Sequence, residues 1–389
     1  MRRVRRYGGL SIVVALMIFA AACGSDDGGG QASEASGIEA GGGTRAERAT
    51  KAAEQAADAA GGKVDLATKK AGILQILGSI ESAQRAERGM RTAIKSLGWS
   101  AQVCDAQGDP NKMAACGDSL LDRNIDVLFV LGIEPSLIKA QMRKAKAKGV
   151  PVVGFGGQIG DDPLWAGKYY PDDPESGTIL ADYVQKRLAE VDGTKKVAIN
   201  SYPAAWSELR TDAFKQTVKS SSDLKLVANQ TTDAANLVEG TRKQVNDTLT
   251  ANPDLKAYWF GFDVAGQVGG QATAAKFPGK SFPDRPLVVT FDADLGTQKL
   301  IRSGAIDAVV DVAYDASAWV AADQAAEFFA RDRPFDKNAQ PDYPITFFDN
   351  VIVTKENLPA EGKYREPKDD FVTFFKTKWQ KEFGTGAGS

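Results

Sequence analysis

The feature that most constrains the fold is a rhythm that starts at Ala71. Short, uninterrupted apolar runs alternate with amphipathic stretches of helical period. Ala71–Leu77, Ser100–Cys104, Val127–Leu131 and Val150–Phe155 read as strands. The segments between them, Glu81–Leu97, Pro110 to about Asp122, and Pro135–Lys148, read as helices, with Gly98 and Gly149 as stops. Strands apolar on both faces and separated by helices predict a parallel sheet covered on both sides. The rhythm then repeats, with strands at Lys196–Asn200, Leu224–Asn229, Ala257–Phe260, Leu287–Phe291 and Ala308–Asp311. Helices are predicted at Ala205–Lys219, Thr232–Thr250, Val264–Lys276, Leu295–Ser303 and Trp319–Ala330, and a last strand at Thr346–Val353. Two successive open α/β sheets predict two lobes. Such sheets bind ligands beyond the carboxyl ends of their strands, so facing lobes enclose one cleft.

The N-terminus is read as a targeting segment and kept out of the fold. Arg2, Arg3, Arg5 and Arg6 precede an apolar run, Leu10–Ala22, shorter than the roughly 20 residues of a membrane span. Ala20-Ala21-Ala22-Cys23 resembles a bacterial lipobox, with Ala20 where Leu is usual, which makes Cys23 the expected lipidation site and residues 1–22 the signal. Cleavage after Ala-x-Ala, with Cys23 incidental, is the alternative. Residues 23–68 read as a flexible tether, Gly-rich at 28–30 and 41–43, with an Ala-rich run from Thr44 expected as a solvated helix. Losing four arginines takes the formal charge from −2 to −6, which leaves no electrostatic footprint for nucleic acid.

The chain has no histidine, which excludes Ser-His-Asp and Cys-His triads and histidine-ligated metal sites. Neither a metal nor a cofactor is expected. In an oxidising compartment Cys104 and Cys116 read as a disulfide.

The order of these segments resembles the sugar-binding family of type I periplasmic receptors, typified by ribose- and galactose-binding proteins. The carriers are "CDAQGDPNKMAACGDSLLDRNIDVLFVLGIEPSLIKAQMRKAKAKGVPVVGF" (104–155), "GKYYPDDPESGTILADYV" (167–184), "TANPDLKAYWFGFDVAGQVGG" (250–270) and "LVVTFDADLGTQKLIRSGAIDAVVDV" (287–312). The resemblance implies two doubly wound parallel-sheet lobes, residues 69–172 plus 313–345 and 173–312 plus 346–385. It implies three hinge crossings, near Tyr170–Asp173, Val312–Tyr314 and Tyr343–Thr346. It also implies a monomer that closes on a sugar-like solute and presents it to an ABC permease, without catalysis.

For the site, Asp292 of "TFDAD" matches the family's strongest ligand Asp, and Asp294 is the expected cap of the following helix. Glu134 and Asp263 sit at ligand landmarks. Phe262 replaces an Asn, Glu208 lies near the family's Arg with Arg210 two residues on, and Val312 replaces a Gln, leaving Asp311 or Tyr314 as substitutes. The loop ending at Glu81 lacks the usual aromatic pair, so Trp165, Trp206 and Tyr170 are candidate stacking surfaces. The carboxylate excess (Glu81, Glu134, Glu208, Asp263, Asp292) opens the alternative of a cationic or amine-bearing solute. A sensor for a membrane kinase or chemoreceptor would share these lobes. A regulator would need a helix-turn-helix where this chain has an export signal, and an acid pair would be needed for a glycosidase.

Overall fold

The computed structural model describes residues 43–385; the expected signal, Cys23 and the tether's first half lie outside them. The chain enters through α1 (Arg45–Ala59) and then builds the first lobe. This comprises β1 (Lys70–Gln75), α2 (Glu81–Ser96), β2 (Ser100–Asp105), α3 (Pro110–Leu121), β3 (Val127–Leu131), α4 (Lys139–Ala147), β4 (Val152–Phe155) and β5 (Gly167–Tyr169). All five strands are parallel, in the order β2-β1-β3-β4-β5. The second lobe holds α5 (Asp173–Leu188), β6 (Lys195–Ser201), α6 (Ala205–Ser220), β7 (Leu224–Thr231), α7 (Leu237–Ala251) and β8 (Leu255–Phe260). It continues with α8 (Asp263–Lys276), β9 (Leu287–Phe291), α9 (Leu295–Arg302) and β10 (Ala308–Asp311). The chain returns to the first lobe as α10 (Tyr314–Arg331), supplies β11 (Val351–Thr354) to the second sheet, and ends in α11 (Phe371–Phe383). The second sheet runs β11-β10-β9-β8-β6-β7, antiparallel only at β11.

The central strands are buried throughout, as every residue of β3 (VLFVL) and β9 (LVVTF) shows, whereas the edge strands β2 and β7 are partly exposed. Gly98, at φ +75°, lets the chain leave α2 in the left-handed region, and Trp99 N–H closes back on the Ile94 carbonyl. Gly177 serves close approach instead. It faces the backbone of Arg210, where a Cβ would collide, so its small size allows α5 and α6 to pack together.

Several boundaries differ from the sequence reading. Pro135 opens a single 3₁₀ turn, Pro135–Leu137, and the α-helix begins only at Lys139. Ile138 breaks the run because it is buried with φ −131°, outside helical geometry. The predicted strand at Thr346–Val353 shrinks to Val351–Thr354, since Phe347 instead packs into an aromatic cluster and Asp349 is held by Arg365.

The larger corrections lie at the two ends. The Ala-rich run is not a solvated part of a tether: α1 buries Ala49, Ala52, Ala53 and Ala57 against α11. Its start is fixed by a capping box between Thr44 and Glu47. Nor does the C-terminal segment stay with the second lobe. α11 packs on α10, stacking Trp379 on Trp319 with centroids 5.3 Å apart, so the chain crosses between lobes a fourth time. Both segments lack the strand-helix rhythm, and small or aromatic residues pack wherever a complementary face exists. The structure bonds Cys104 of β2 to Cys116 of α3, with Cα atoms 5.5 Å apart, which ties one strand to the helix after it.

Candidate ligand-binding cleft

The carboxyl ends of β1, β3 and β4 face those of β6, β8, β9 and β10 across a small cavity of about 60 Å³, the site that the lobes of such a fold enclose. Ile76, Ile80, Ala83, Ala86 and Leu131 line it from the first lobe, and Trp206, Phe262, Asp263 and Asp292 from the second. Tyr314 closes it at a crossing.

Asp292 is positioned by a backbone that only a few residue types accept. Its φ is +68°, and its N–H donates to the Val310 carbonyl at 2.8 Å. Such a conformation costs about 1–3 kcal/mol and is retained where the surroundings fix it. The side chain is buried, with Oδ2 3.8 Å from Arg210 Nη1 and Oδ1 without a partner among the described residues. Burial pushes this carboxyl up to about 8, with repulsion from Asp263 and Asp311 adding to the effect and Arg210 opposing it. Asp263, the first residue of α8, is raised by burial against hydrogen bonds from Val264 and Ser82, and its Oδ2 is also unpartnered. Asp294, fully buried, is raised well above the carboxylate range by burial and by its two acidic neighbours.

Arg210 is the cation of this cluster. Its Nε donates to Asp173 Oδ1 at 2.6 Å, its Nη2 donates to the Tyr314 hydroxyl, and its Nη1 has no partner among the described residues. The guanidinium lies 4.7 Å over the Phe291 ring. Burial would lower its pKa, but Asp173, Tyr314 and Asp292 outweigh that and hold it charged.

Other residues named from the sequence sit elsewhere. Glu208 points to solvent, and Trp165 is core of the first lobe, donating Nε1 to the Gly160 carbonyl. Tyr170 lies on a separate surface hollow with Gln158 and Asn338. Asp311 is buried outside the cavity lining, and its oxygens serve Arg85, Arg365 and the Ala293 N–H. Asp294 occupies the cap position of α9 without capping it, because Glu81 has taken those donors from across the cleft. Phe262 and Trp206 do line the cavity, packed edge to face at 6.2 Å.

Glu81 and Glu134 bridge the lobes. Glu81 accepts from the N–H groups of Leu295 and Gly296 at the start of α9, at 2.9 and 3.1 Å. Glu134 accepts from Ala205 N–H at the start of α6, at 3.1 Å, and from Gly160 N–H at 2.9 Å. A carboxylate on a helix N-terminus satisfies orphan donors and meets the positive end of the helix dipole. Each bridge is worth about 0.5–2 kcal/mol on the scale of helix caps. The double variant Glu81→Gln, Glu134→Gln is therefore expected to open the ligand-free protein, seen as a larger radius of gyration by small-angle scattering. An unchanged radius would show that other contacts hold the lobes.

A family model described as "Periplasmic binding protein domain" matches residues 71–330. The chain belongs to the periplasmic binding protein family. Its members bind solutes outside the cytoplasm and are not enzymes, and the type I fold of this family is the one described above. The chain is 24% identical over 238 residues to the ABC transporter periplasmic-binding protein YphF of Escherichia coli K12, covering 58% of this chain and 69% of that protein. It is 23% identical over 180 residues to a xylitol-binding protein of Mycolicibacterium smegmatis, covering 43% of this chain and 50% of that one. A carbohydrate-transporter solute-binding protein of Agrobacterium radiobacter, solved with D-arabinose, superposes with a TM-score of 0.64 at 23% identity, covering 75% of this chain and 96% of that one.

Within a periplasmic binding protein, the groups missed from sequence are now intelligible. Arg85 is buried on α2 and bridges to Asp311 and Asp315. Asp173 holds Arg210 and also accepts from Gln158 N–H at 2.7 Å, spanning the first crossing. No local signal marks either, because Arg85 and Asp311 are 226 positions apart.

The raised Asp292 carboxyl predicts a pH dependence. Between its ordinary value of 3.8 and about 8 the folded protein keeps a proton that the unfolded chain releases. This contribution is therefore complete at acid pH and lost as pH rises through about 8. Against Asp292→Asn, which has no such proton, the ligand-free protein is expected to lose melting temperature steadily from pH 5 to 8.5. Parallel profiles would place the shift elsewhere.

Proposed function

We propose that the protein is an extracytoplasmic receptor that captures a sugar or polyol between its lobes and hands it intact to an ABC importer. The observation that carries this reading is the set of unpartnered polar atoms at the cleft. Asp292 Oδ1 and Asp263 Oδ2 are acceptors on cavity-lining residues, and Arg210 Nη1 is a donor directly behind Asp292. A hydroxyl both donates and accepts, so neighbouring hydroxyls on one solute can satisfy the two carboxyls while Arg210 holds Asp292 from behind, where leaving each unmade costs about 1–3 kcal/mol. The relatives named for xylitol and D-arabinose support the same class. Trp206 and Phe262 supply a ring surface for the C–H face of such a molecule.

Release and capture proceed by lobe motion, with the Glu81 and Glu134 bridges made on closure. No side chain is assigned a catalytic role. The test is a thermal-shift screen of pentoses, hexoses and polyols, in which a ligand at 100 times its Kd adds about 2.7 kcal/mol of stability. If no sugar or polyol stabilises the protein, the reading fails.

The gathering of Asp263, Asp292 and Asp294 beside Arg210 favours a second reading, an amine-bearing solute. Carboxyls that keep their protons are neutral donors suited to a neutral solute, whereas an ammonium would favour their ionised forms. Amino-sugar binding that strengthens between pH 5 and 8 would favour the amine. We read Cys23 as the acylated anchor; Cys23→Ala is expected to release the protein into the medium, and retention at the membrane would refute the anchor.

A further inference from the structure

The polar and apolar walls of the cavity come from different lobes. From the first lobe, the lining side chains are Ile76, Ile80, Ala83, Ala86 and Leu131, with Gly132, Gly156 and Gly157 contributing no side chain. The one polar lining side chain on that side is Ser82, beside Asp263. Gln75 and Arg85, the buried polar residues nearby, do not line the cavity. Glu81 and Glu134 have turned to the helix ends of the other lobe. The unpartnered carboxylate oxygens at the cavity, on Asp263 and Asp292, therefore belong to the second lobe.

We propose, on the reading that the cleft holds a sugar or polyol, that it selects a solute hydroxylated at one end and hydrocarbon at the other, such as a terminally deoxygenated sugar. The hydroxyls face Asp263 and Asp292, and the methyl or methylene end lies against Ile76, Ile80, Ala83, Ala86 and Leu131. A fully hydroxylated sugar carries hydroxyls around its whole rim. Closing the cleft would strip water from those facing the first lobe, where Ser82 alone among the lining side chains can return a hydrogen bond. A methyl group in the same place gains from the apolar wall.

The test is calorimetric titration of matched pairs that differ by one terminal hydroxyl. Suitable pairs are D-galactose with 6-deoxy-D-galactose, L-mannose with 6-deoxy-L-mannose, and pentitols with their 1-deoxy analogues. The deoxy member is expected to bind at least tenfold more tightly in each pair that binds. Equal or tighter binding of the hydroxylated member overturns the inference while leaving a sugar or polyol receptor standing; silence from every pair overturns both. Ile80→Asn provides a second measurement. Ile80 is partly exposed and holds the cap position of α2 without a side-chain bond, a position that favours Asn, so folding is preserved. This variant is expected to move the affinity ratio at least tenfold toward the hydroxylated member. An unchanged ratio shows that the wall does not select.

Discussion

Lys378→Met is expected to cost about 3–5 kcal/mol of folding stability, the scale for removing one partner of a buried ionic cluster. The ammonium donates to Asp323 at 2.7 Å, Glu327 at 2.9 Å and Glu382 at 2.8 Å, all buried between α10 and α11. Burial would lower its pKa, but the three carboxyls outweigh that and hold it charged. The acids divide their load. Burial pushes Glu382 up to about 8 despite Lys378, while Lys378 and Arg333 keep Glu327 below the ordinary carboxylate value. Without the ammonium, Asp323 and Glu327, one turn apart on α10, would be left beside Glu382 of α11 in a dry interface with no cation between them. Urea unfolding at pH 7.5 measures the loss, which should shrink toward pH 5 as the orphaned acids take up protons. A cost below 1 kcal/mol would mean that water reaches the cluster. Because α11 is the face on which α1 packs, the same variant should expose residues 45–59 to protease before global unfolding.

Arg210→Lys is expected to weaken solute binding at least a hundredfold and to cost about 2–3 kcal/mol of stability. The guanidinium reaches Asp173, Tyr314 and the neighbourhood of Asp292 at once because its nitrogens are fixed in a plane. An ammonium is a single point that cannot serve all three, and whichever carboxylate it leaves becomes a buried unpaired acceptor. Both effects are read by chemical unfolding and by titration with whichever solute the screen identifies. Asp292→Asn separates them. It should lose affinity while folding as well as the parent at pH 8, because it removes a buried carboxyl and Asn tolerates positive φ. If Arg210→Lys binds normally, the arginine only braces the crossing.

How far the cleft was readable follows from where each residue's partners lie. Asp292, Asp263 and Phe262 were marked by their match to the family's ligand positions and Trp206 as a candidate stacking ring, and the cavity is lined by all four. Glu81 and Glu134 were found by the same logic yet face helix ends of the opposite lobe, since a carboxylate near two unsatisfied N–H groups binds them first. Asp311 stands at a strand end but outside the cavity lining, held by Arg85 and Arg365. Glu208 and Arg210 differ by two helical positions, which puts one in water and the other in the core.

The sequence by itself determined the two parallel sheets, most strand and helix limits, the family, and the strand ends where a ligand must sit. These rest on the period of hydrophobicity and on glycine and proline chemistry, which act over a few residues. Only the tertiary structure decided that α1 and α11 close the first lobe, that two of the expected ligand acids latch the lobes, and that the cavity's first-lobe wall is apolar. Each of those outcomes depends on which surfaces meet across hundreds of residues, where burial and hydrogen-bond satisfaction, not local pattern, select a side chain's partner.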